Sequence, residues 1–276
     1  MEQDTGKKRN FIDKFYTNPE VVKLCKKYIT ENIQISKDDL LIEPSAGNGS
    51  FINLIKELSN SYRLYDILPE NPEIIKQDFL NFDINSIPIE ERKNKIHIIG
   101  NPPFGYQSNI ALKFIDKCCE FADTISFILP ASFKKEIRKK KIDLNYHLIV
   151  EENLPKYSFL LNNKKYDVKC ILQIWVRKNI KRDLPIIHIP RNFIFVKQDE
   201  NYDIFVIEIF SKAGKIYKPE YKTENMKRCF YIKFTNNLSV DENIEKLKNC
   251  YFDPHNTACI KNITKQELIQ EFNKYL

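Results

Sequence analysis

Four consecutive residues, Asn101-Pro102-Pro103-Phe104, combine an amide that accepts hydrogen bonds, two prolines that stiffen a turn, and an aromatic ring. They follow Lys-Ile-His-Ile-Ile-Gly at 95–100, an apolar run of buried-strand type. That places them at the carboxyl end of a strand, where open α/β sheets bind ligands. The combination suits chemistry on the exocyclic amine of adenine, a poor nucleophile because its lone pair is delocalised into the ring. Two acceptors, the Asn101 amide oxygen and the Pro102 carbonyl, would draw the two N–H bonds toward tetrahedral geometry and free that pair. The prolines point the carbonyls inward, and Phe104 offers a face on which a base removed from its stack can rest. An ordinary Asn-Pro turn with a core Phe has the same spelling, so a second constellation is needed.

Residues 43–51, Glu-Pro-Ser-Ala-Gly-Asn-Gly-Ser-Phe, supply one. A short apolar run ending in Glu43 leads into a Gly47-Asn48-Gly49 turn and then a segment of helical period, a strand–glycine loop–helix unit that lets backbone approach a ligand closely. A nucleotide or dinucleotide competes for such a loop. However, the third glycine of the dinucleotide fingerprint and the Gly-Lys-Ser/Thr of a phosphate loop are both missing. Asp66, at the end of the next strand, is placed to accept from two ribose hydroxyls, or to be a solvated strand end.

Taken in order, these motifs resemble the N6-adenine methyltransferases, in the group whose cofactor motif precedes the catalytic one, the gamma class of DNA adenine methyltransferases. Phe15-Tyr16-Thr17-Asn18-Pro19 is similar to that family's N-terminal motif, which packs against the methionine part of S-adenosylmethionine, and residues 43–49 are similar to its glycine loop. The resemblance covers roughly residues 11–178, including Phe-Ile-Leu-Pro-Ala-Ser-Phe at 127–133 and Cys-Ile-Leu-Gln-Ile-Trp at 170–175. It implies that Tyr16, Thr17, Glu43, Pro44, Ser45, Ala46, Gly47, Gly49, Asp66, Asp78, Phe79 and Asn101 form the cofactor pocket. Asp66 would hold the ribose and Asp78 the adenine amine of the cofactor, and Asn101, Pro102, Pro103 and Phe104 would be catalytic. The family also carries an aromatic that sandwiches the extruded adenine; Phe159 is the candidate, with Tyr157 close by. The small-ribosomal-RNA adenine dimethyltransferases share an early Asn-Phe, as at Asn10-Phe11, but their glycine loop usually reads Gly-Pro-Gly and their catalytic motif usually has a non-proline second residue. Cytosine C5 chemistry needs a Pro-Cys pair, which this chain lacks.

The elements that must position these residues follow from periodicity. Apolar residues at helical spacing over 18–30, with Asn18 as N-cap and Pro19 at the first helical position, predict a helix. Strands at 39–43, 63–67, 95–100, 124–129 and 148–152 alternate with helical segments at 50–58, 110–120 and 133–141, and 70–76 reads as a short crossover. That alternation predicts an α/β, Rossmann-like S-adenosylmethionine-dependent methyltransferase domain with a mostly parallel sheet. Period-two stretches at 167–176 and 193–210 predict an antiparallel hairpin closing the sheet and a small β-rich C-terminal region. The expected division is 1–179 for catalysis and 180–276 for target recognition.

With 276 residues, 42% of them hydrophobic and 29% charged, the chain is long enough for one full domain plus an appendage, and no apolar run reaches a membrane span. The polar, mixed-charge start at 1–10 reads as that of an intracellular chain, acting in the cytoplasm or, for a viral protein, in the host cytoplasm. Seven cysteines without a C-x-x-C pair argue against zinc and disulfide frameworks, and no metal is expected. A net charge of +7 suits a polyanionic partner, although it also fits the codon usage of an AT-rich genome. Lys-rich 134–141 reads as a solvated helix face or a phosphate track. The Lys- and Arg-rich 212–233 stretch, interleaved with Tyr and Phe and including Lys215, Lys218 and Lys222, reads as a nucleic-acid face. His97, inside a strand, reads as a packing residue. DNA is the first expectation for the partner. RNA, including the adenosine beside a cap, is the alternative, as is a catalytically silent binding relative; the short tail leaves room for a helper protein.

Overall fold

The computed structural model describes residues 15–161, 164–184, 186–253 and 261–276. Asn10-Phe11, His255 and Cys259 lie outside the described residues. The chain divides into two compact units, Met1–Leu184 and Pro185–Leu276.

In the first unit, β1 (Tyr16–Thr17) leads into α1 (Pro19–Asn32), whose N-cap Asn18 accepts from the Glu20 backbone N–H as the sequence predicts. There follow β2 (Leu40–Glu43), α2 (Ile52–Leu58), β3 (Ser61–Asp66), β4 (Ile75–Lys76), β5 (Ile96–Gly100), α3 (Asn109–Cys119) and β6 (Thr124–Pro130). After β6 come a single helical turn, α4 (Glu136–Lys139), β7 (Tyr146–Asn153), the β8 (Phe159–Leu161) and β9 (Lys164–Tyr166) hairpin, and β10 (Cys170–Arg177). The main sheet has the order β4-β3-β2-β5-β6-β10-β7. Its first five strands are parallel, and β10 runs antiparallel to both β6 and β7. Both the α/β class and the antiparallel closure are as the sequence predicts.

Strands β2, β5 and β6 are buried along their whole length, as continuous apolar runs in a doubly covered sheet must be. Alternate residues serve opposite faces. Ile98, Ile125 and Phe127 pack with Ala111, Phe114 and Ile115 of α3, while Leu41, Ile99 and Ile128 pack with Val21, Cys25 and Ile29 of α1 and Leu54 and Ile55 of α2. His97, near the amino end of β5, sits between Thr124 Oγ1 at 2.8 Å and Asp39 Oδ2 at 3.2 Å, at the opposite end of the strand from Asn101. Burial, opposed by Asp39, holds its pKa down. A small second sheet, order β1-β8-β9, joins the start of the described chain to residues 159–166; the sequence pattern contains no sign of it.

The second unit contains β11 (Phe193–Val196), β12 (Ile204–Ile207), β13 (Ile216–Tyr217) and β14 (Cys229–Phe234) in the antiparallel order β11-β14-β12-β13. Two helices accompany them, α5 (Val240–Leu247) and α6 (Lys265–Phe272), where the sequence reading expected only a β-rich region. Each opens with a capping box, Ser239 with Glu242 and Thr264 with Glu267. They pack Leu247, Leu268 and Phe272 against Phe193, Ile204 and Ile232. Among the described residues no helix is long and apolar enough to cross a membrane.

Candidate active site

The order of the sheet reverses at β2, which lies between β3 and β5, and a cavity opens at the carboxyl ends of these strands, as such a switch point favours. Its volume is about 310 Å³. The glycine loop, Asp66, Asp78, Phe79 and the whole Asn101–Phe104 motif contribute to its wall.

The glycine loop is held in place by the strand beside it. The Gly47 N–H donates to Asp66 Oδ2 at 2.8 Å, and the Leu68 N–H donates to Asp66 Oδ1 at 2.8 Å. Each carboxylate oxygen keeps a further lone pair for a ligand hydroxyl. Gly47 and Gly49 adopt φ of +55° and +90°, and a Cβ on Gly49 would lie 2.5 Å from Ile52 Cδ1, so the turn admits no side chain there. Tyr16 covers the loop, with its ring 3.5 Å from where a Gly47 Cβ would stand, and its hydroxyl donates to Glu70 Oε2 at 2.6 Å. Burial first, and then Glu70, raises the Tyr16 pKa, so this phenol stays protonated. Asp78 caps the turn that follows it, accepting from Leu80 N at 3.1 Å and from Asn81 Nδ2 at 2.7 Å. Phe79 forms an apolar floor, stacked on Phe82 at 5.4 Å and on Phe114 at 5.7 Å.

Of the four buried side-chain polar atoms that lack partners among the described residues, two belong to the site, Glu43 Oε2 and Asn101 Oδ1. Burial, and secondarily the charge of Asp66, pushes the Glu43 carboxyl up to about 8. Asn101 is oriented from both sides: its Nδ2 donates to the Phe15 carbonyl at 3.2 Å, and its own carbonyl accepts from Ser45 Oγ at 3.2 Å. Because a carbonyl oxygen only accepts, the Phe15 contact places the amino group there and leaves the amide oxygen to receive a hydrogen bond. An unsatisfied buried acceptor carries a desolvation cost of about 1–3 kcal/mol, which a donor from a ligand removes.

Not every expected residue is in the cavity wall. Tyr16, Thr17, Glu43, Ala46 and Gly49 do not line it, and Thr17, Glu43 and Ala46 are buried. Phe159, expected to sandwich a base, is fully buried and meets Phe104 edge-on at 6.4 Å. Its β8 register opposite Thr17 turns the ring into the core between Phe104 and Phe15, so its part is to support Phe104. Tyr157 is half exposed, with φ of 62°. The sequence places Phe15 in the N-terminal motif but not among the pocket residues, although it lines the cavity and orients Asn101; Glu70, which anchors Tyr16, has no signal in the sequence. The signal for Phe15 was its adjacency to Tyr16.

The three lysines chosen as substrate contacts belong to the second unit. Lys215 is exposed, whereas Lys218 is paired with Asp241 at 2.6 Å. Lys222 turns inward: its Nζ lies 4.9 Å from the ring centroids of both Phe205 and Tyr231 and bonds Met226 O and Cys229 Sγ. Two aromatic faces stabilise the ammonium better than a surface position would, so Lys222 is a packing residue of the fold. No group of three or more metal-ligating side chains occurs among the described residues.

The EDM2 methyltransferase-like domain matches residues 34–182, the stretch that holds the glycine loop, Asp66, Asp78 and Asn101–Phe104. The chain is similar to ribosomal RNA small subunit methyltransferase A of Sulfurihydrogenibium sp. (strain YO3AOP1), with 24% identity over 73% of this chain and 80% of that one. The protein of the same name from Ureaplasma urealyticum serovar 10 is 23% identical over 80% of each chain. Among solved structures, a dimethyladenosine transferase from Plasmodium falciparum aligns over 60% of this chain and 64% of that one at 14% identity, with a TM-score of 0.44.

Proposed function

Since the chain belongs to the EDM2 methyltransferase-like domain family, we propose that it transfers a methyl group from S-adenosylmethionine to the N6 amine of adenine in RNA. The buried, unpartnered Asn101 Oδ1 is the single observation that carries this reading. RNA takes precedence over the DNA expected from the motif spelling because both relatives described above are named for ribosomal RNA.

The cavity residues fit the cofactor. Asp66, Asp78 and Phe79 line the same cavity, and we assign Asp66 to the ribose, Asp78 to the adenine amine and the Phe79 ring to an apolar wall. When bound, S-adenosylmethionine supplies a methyl group activated by a positive sulfonium. The chain's own residues do the rest. Asn101 Oδ1 accepts from one N–H of the target amine and the Pro102 carbonyl from the other, which localises the nitrogen lone pair. Phe104, braced by Phe159, holds the base, and the amine loses its proton to solvent. No strong base is required, because alignment and lone-pair localisation lower the barrier.

The direct test incubates the protein with S-adenosylmethionine labelled in its methyl group and, separately, RNA, single-stranded DNA and duplex DNA. Digested products are then read by mass spectrometry. N6-methylated adenine in RNA is the expected result. Methyl on DNA alone would overturn the RNA reading, and methyl on cytosine or ribose would overturn the site reading.

Asp66→Ala should weaken S-adenosylhomocysteine binding by about 1.5–3 kcal/mol, the usual scale for hydrogen bonds to a charged group. It also releases the Gly47 and Leu68 N–H groups. Calorimetry measures the change, and an unaltered affinity removes Asp66 from the site. In the second unit, Lys215 and Lys227 are exposed and form no ion pair among the described residues. Replacing both by Ala should flatten the slope of log affinity for single-stranded RNA against log salt by about 1.4, the release of two counterions. Cofactor affinity should stay constant. An unchanged slope would mean that this surface does not touch the strand.

A further inference from the structure

We propose that Tyr106 is a second base-stacking residue of the site, taking the unpaired nucleotide next to the extruded adenine while the basic segment around α4 receives that strand's phosphates. This rests on the adenine reading above and adds to it how the flanking strand is held.

Tyr106 is 81% exposed, the most exposed of the large hydrophobic side chains among the described residues. A singly exposed ring is ordinary on a protein surface; what distinguishes this one is its place in a shaped loop beside a ligand cavity. The ring projects from a loop bounded by two residues of the cavity wall, Phe104 and Ile110. The loop is tightly shaped. Gly105 has φ of +68°, and a Cβ there would lie 2.4 Å from Ile110 Cγ1, so the backbone is pressed onto Ile110. Gln107 and Ser108 then adopt φ of 51° and 61°, two consecutive non-glycine residues in the left-handed region. Strain of this kind persists where surrounding structure enforces it, and it clusters at ligand clamps.

The enforcing contact comes from α4. An Arg138 terminal nitrogen donates to the Gln107 carbonyl at 2.7 Å, which ties the Tyr106 loop to the basic segment, and Gln107 Nε2 donates to the Tyr106 hydroxyl at 3.3 Å. Lys140 and Lys141 are exposed just beyond α4, and Lys134 is half-buried before it. Lys139 is paired with Glu136 and Glu151, so Lys134, Lys140 and Lys141 are the cations this segment offers, and Arg138 links it to the exposed ring: stacking for a base, charge for its backbone, as in proteins that hold single strands. A solvated helix face would need neither the strained loop nor the ring. Arg138 acts through Gln107 and is a positioning residue.

The test uses the full chain and a single-stranded oligouridine RNA carrying one central adenine flanked by 2-aminopurine. Binding of the wild type should quench 2-aminopurine fluorescence. Tyr106→Ala should lose that quenching and raise KM for the RNA roughly tenfold to a hundredfold, the range of one base–aromatic stack. It should leave kcat and S-adenosylhomocysteine affinity within about twofold, since the change removes ground-state binding of the strand. Tyr106→Phe should restore both quenching and KM. If Tyr106→Ala keeps wild-type quenching and KM while Asn101-dependent methylation proceeds, the stacking role is overturned and the adenine reading stands. If the wild type methylates no RNA in an Asn101-dependent way, both are overturned.

Discussion

Replacing Asn101 by Ala is expected to lower methyl transfer by about a hundredfold to a thousandfold, the scale for losing one preorganised hydrogen-bonding group at a reacting centre. The amide oxygen is buried and without a protein partner, and its orientation is set by Nδ2 on the Phe15 carbonyl. Its loss therefore acts on the activated amine much more than on the fold or the cofactor, so kcat should fall while S-adenosylhomocysteine affinity stays near normal. Asn101→Asp is a sharper probe. It keeps the acceptor but discards the donor to Phe15, and it should retain less activity than wild type because the side chain is no longer oriented. Single-turnover rates with labelled cofactor separate the chemical step from binding. Near-normal turnover in Asn101→Ala would mean that the amine is activated elsewhere.

The second large effect concerns stability. Glu43 is buried at the end of β2 with Oε2 unpartnered, and burial, then Asp66, moves its pKa from 4.5 to about 8. An acid whose folded pKa lies above its unfolded one binds more protons in the folded state. Its contribution is therefore full below about pH 4.5 and is lost progressively as pH rises to about 8. At about 1.4 kcal/mol per pH unit, the window amounts to several kcal/mol. Glu43→Gln keeps the shape of the side chain and cannot ionise, so it should match the wild type near pH 4.5 and exceed it in stability near pH 8.5. Urea unfolding of both proteins across this range gives the difference, in which groups such as His97 that titrate in both proteins cancel. Parallel stability curves would show that Glu43 ionises in the fold without cost.

Strand ends, turns and helix starts obey local rules, and the local rules were sufficient for half of the site. Continuous apolar runs marked β2, β5 and β6 as strands buried on both faces, and the acids and glycines after them could only stand at the carboxyl edge of the sheet. Glu43, Gly47 and Asn101 were legible for that reason, and Asp66 as the end of the neighbouring strand β3, whereas Asp78 came only from the family resemblance. The capping boxes at Ser239 and Thr264 were equally local, but α5 and α6 are only eight residues long and give a weaker periodic signal than the period-two strands before them. What tertiary structure alone decided depends on partners far apart in the chain. β1 pairs with β8, with Tyr16 opposite Leu160, and this pairing brings the Phe15 carbonyl to Asn101 across 86 positions of sequence. No periodicity encodes which of several strands another will choose. The same limit applies to side chains with two possible faces: Phe159 and Lys222 each carry a type suited to binding, yet the packing of β8 buries one behind Phe104 and two rings draw the other inward. Tyr106 is the converse case, an aromatic that composition would place in a core. A strained loop tied to Arg138 leaves it in water at the rim of the cavity.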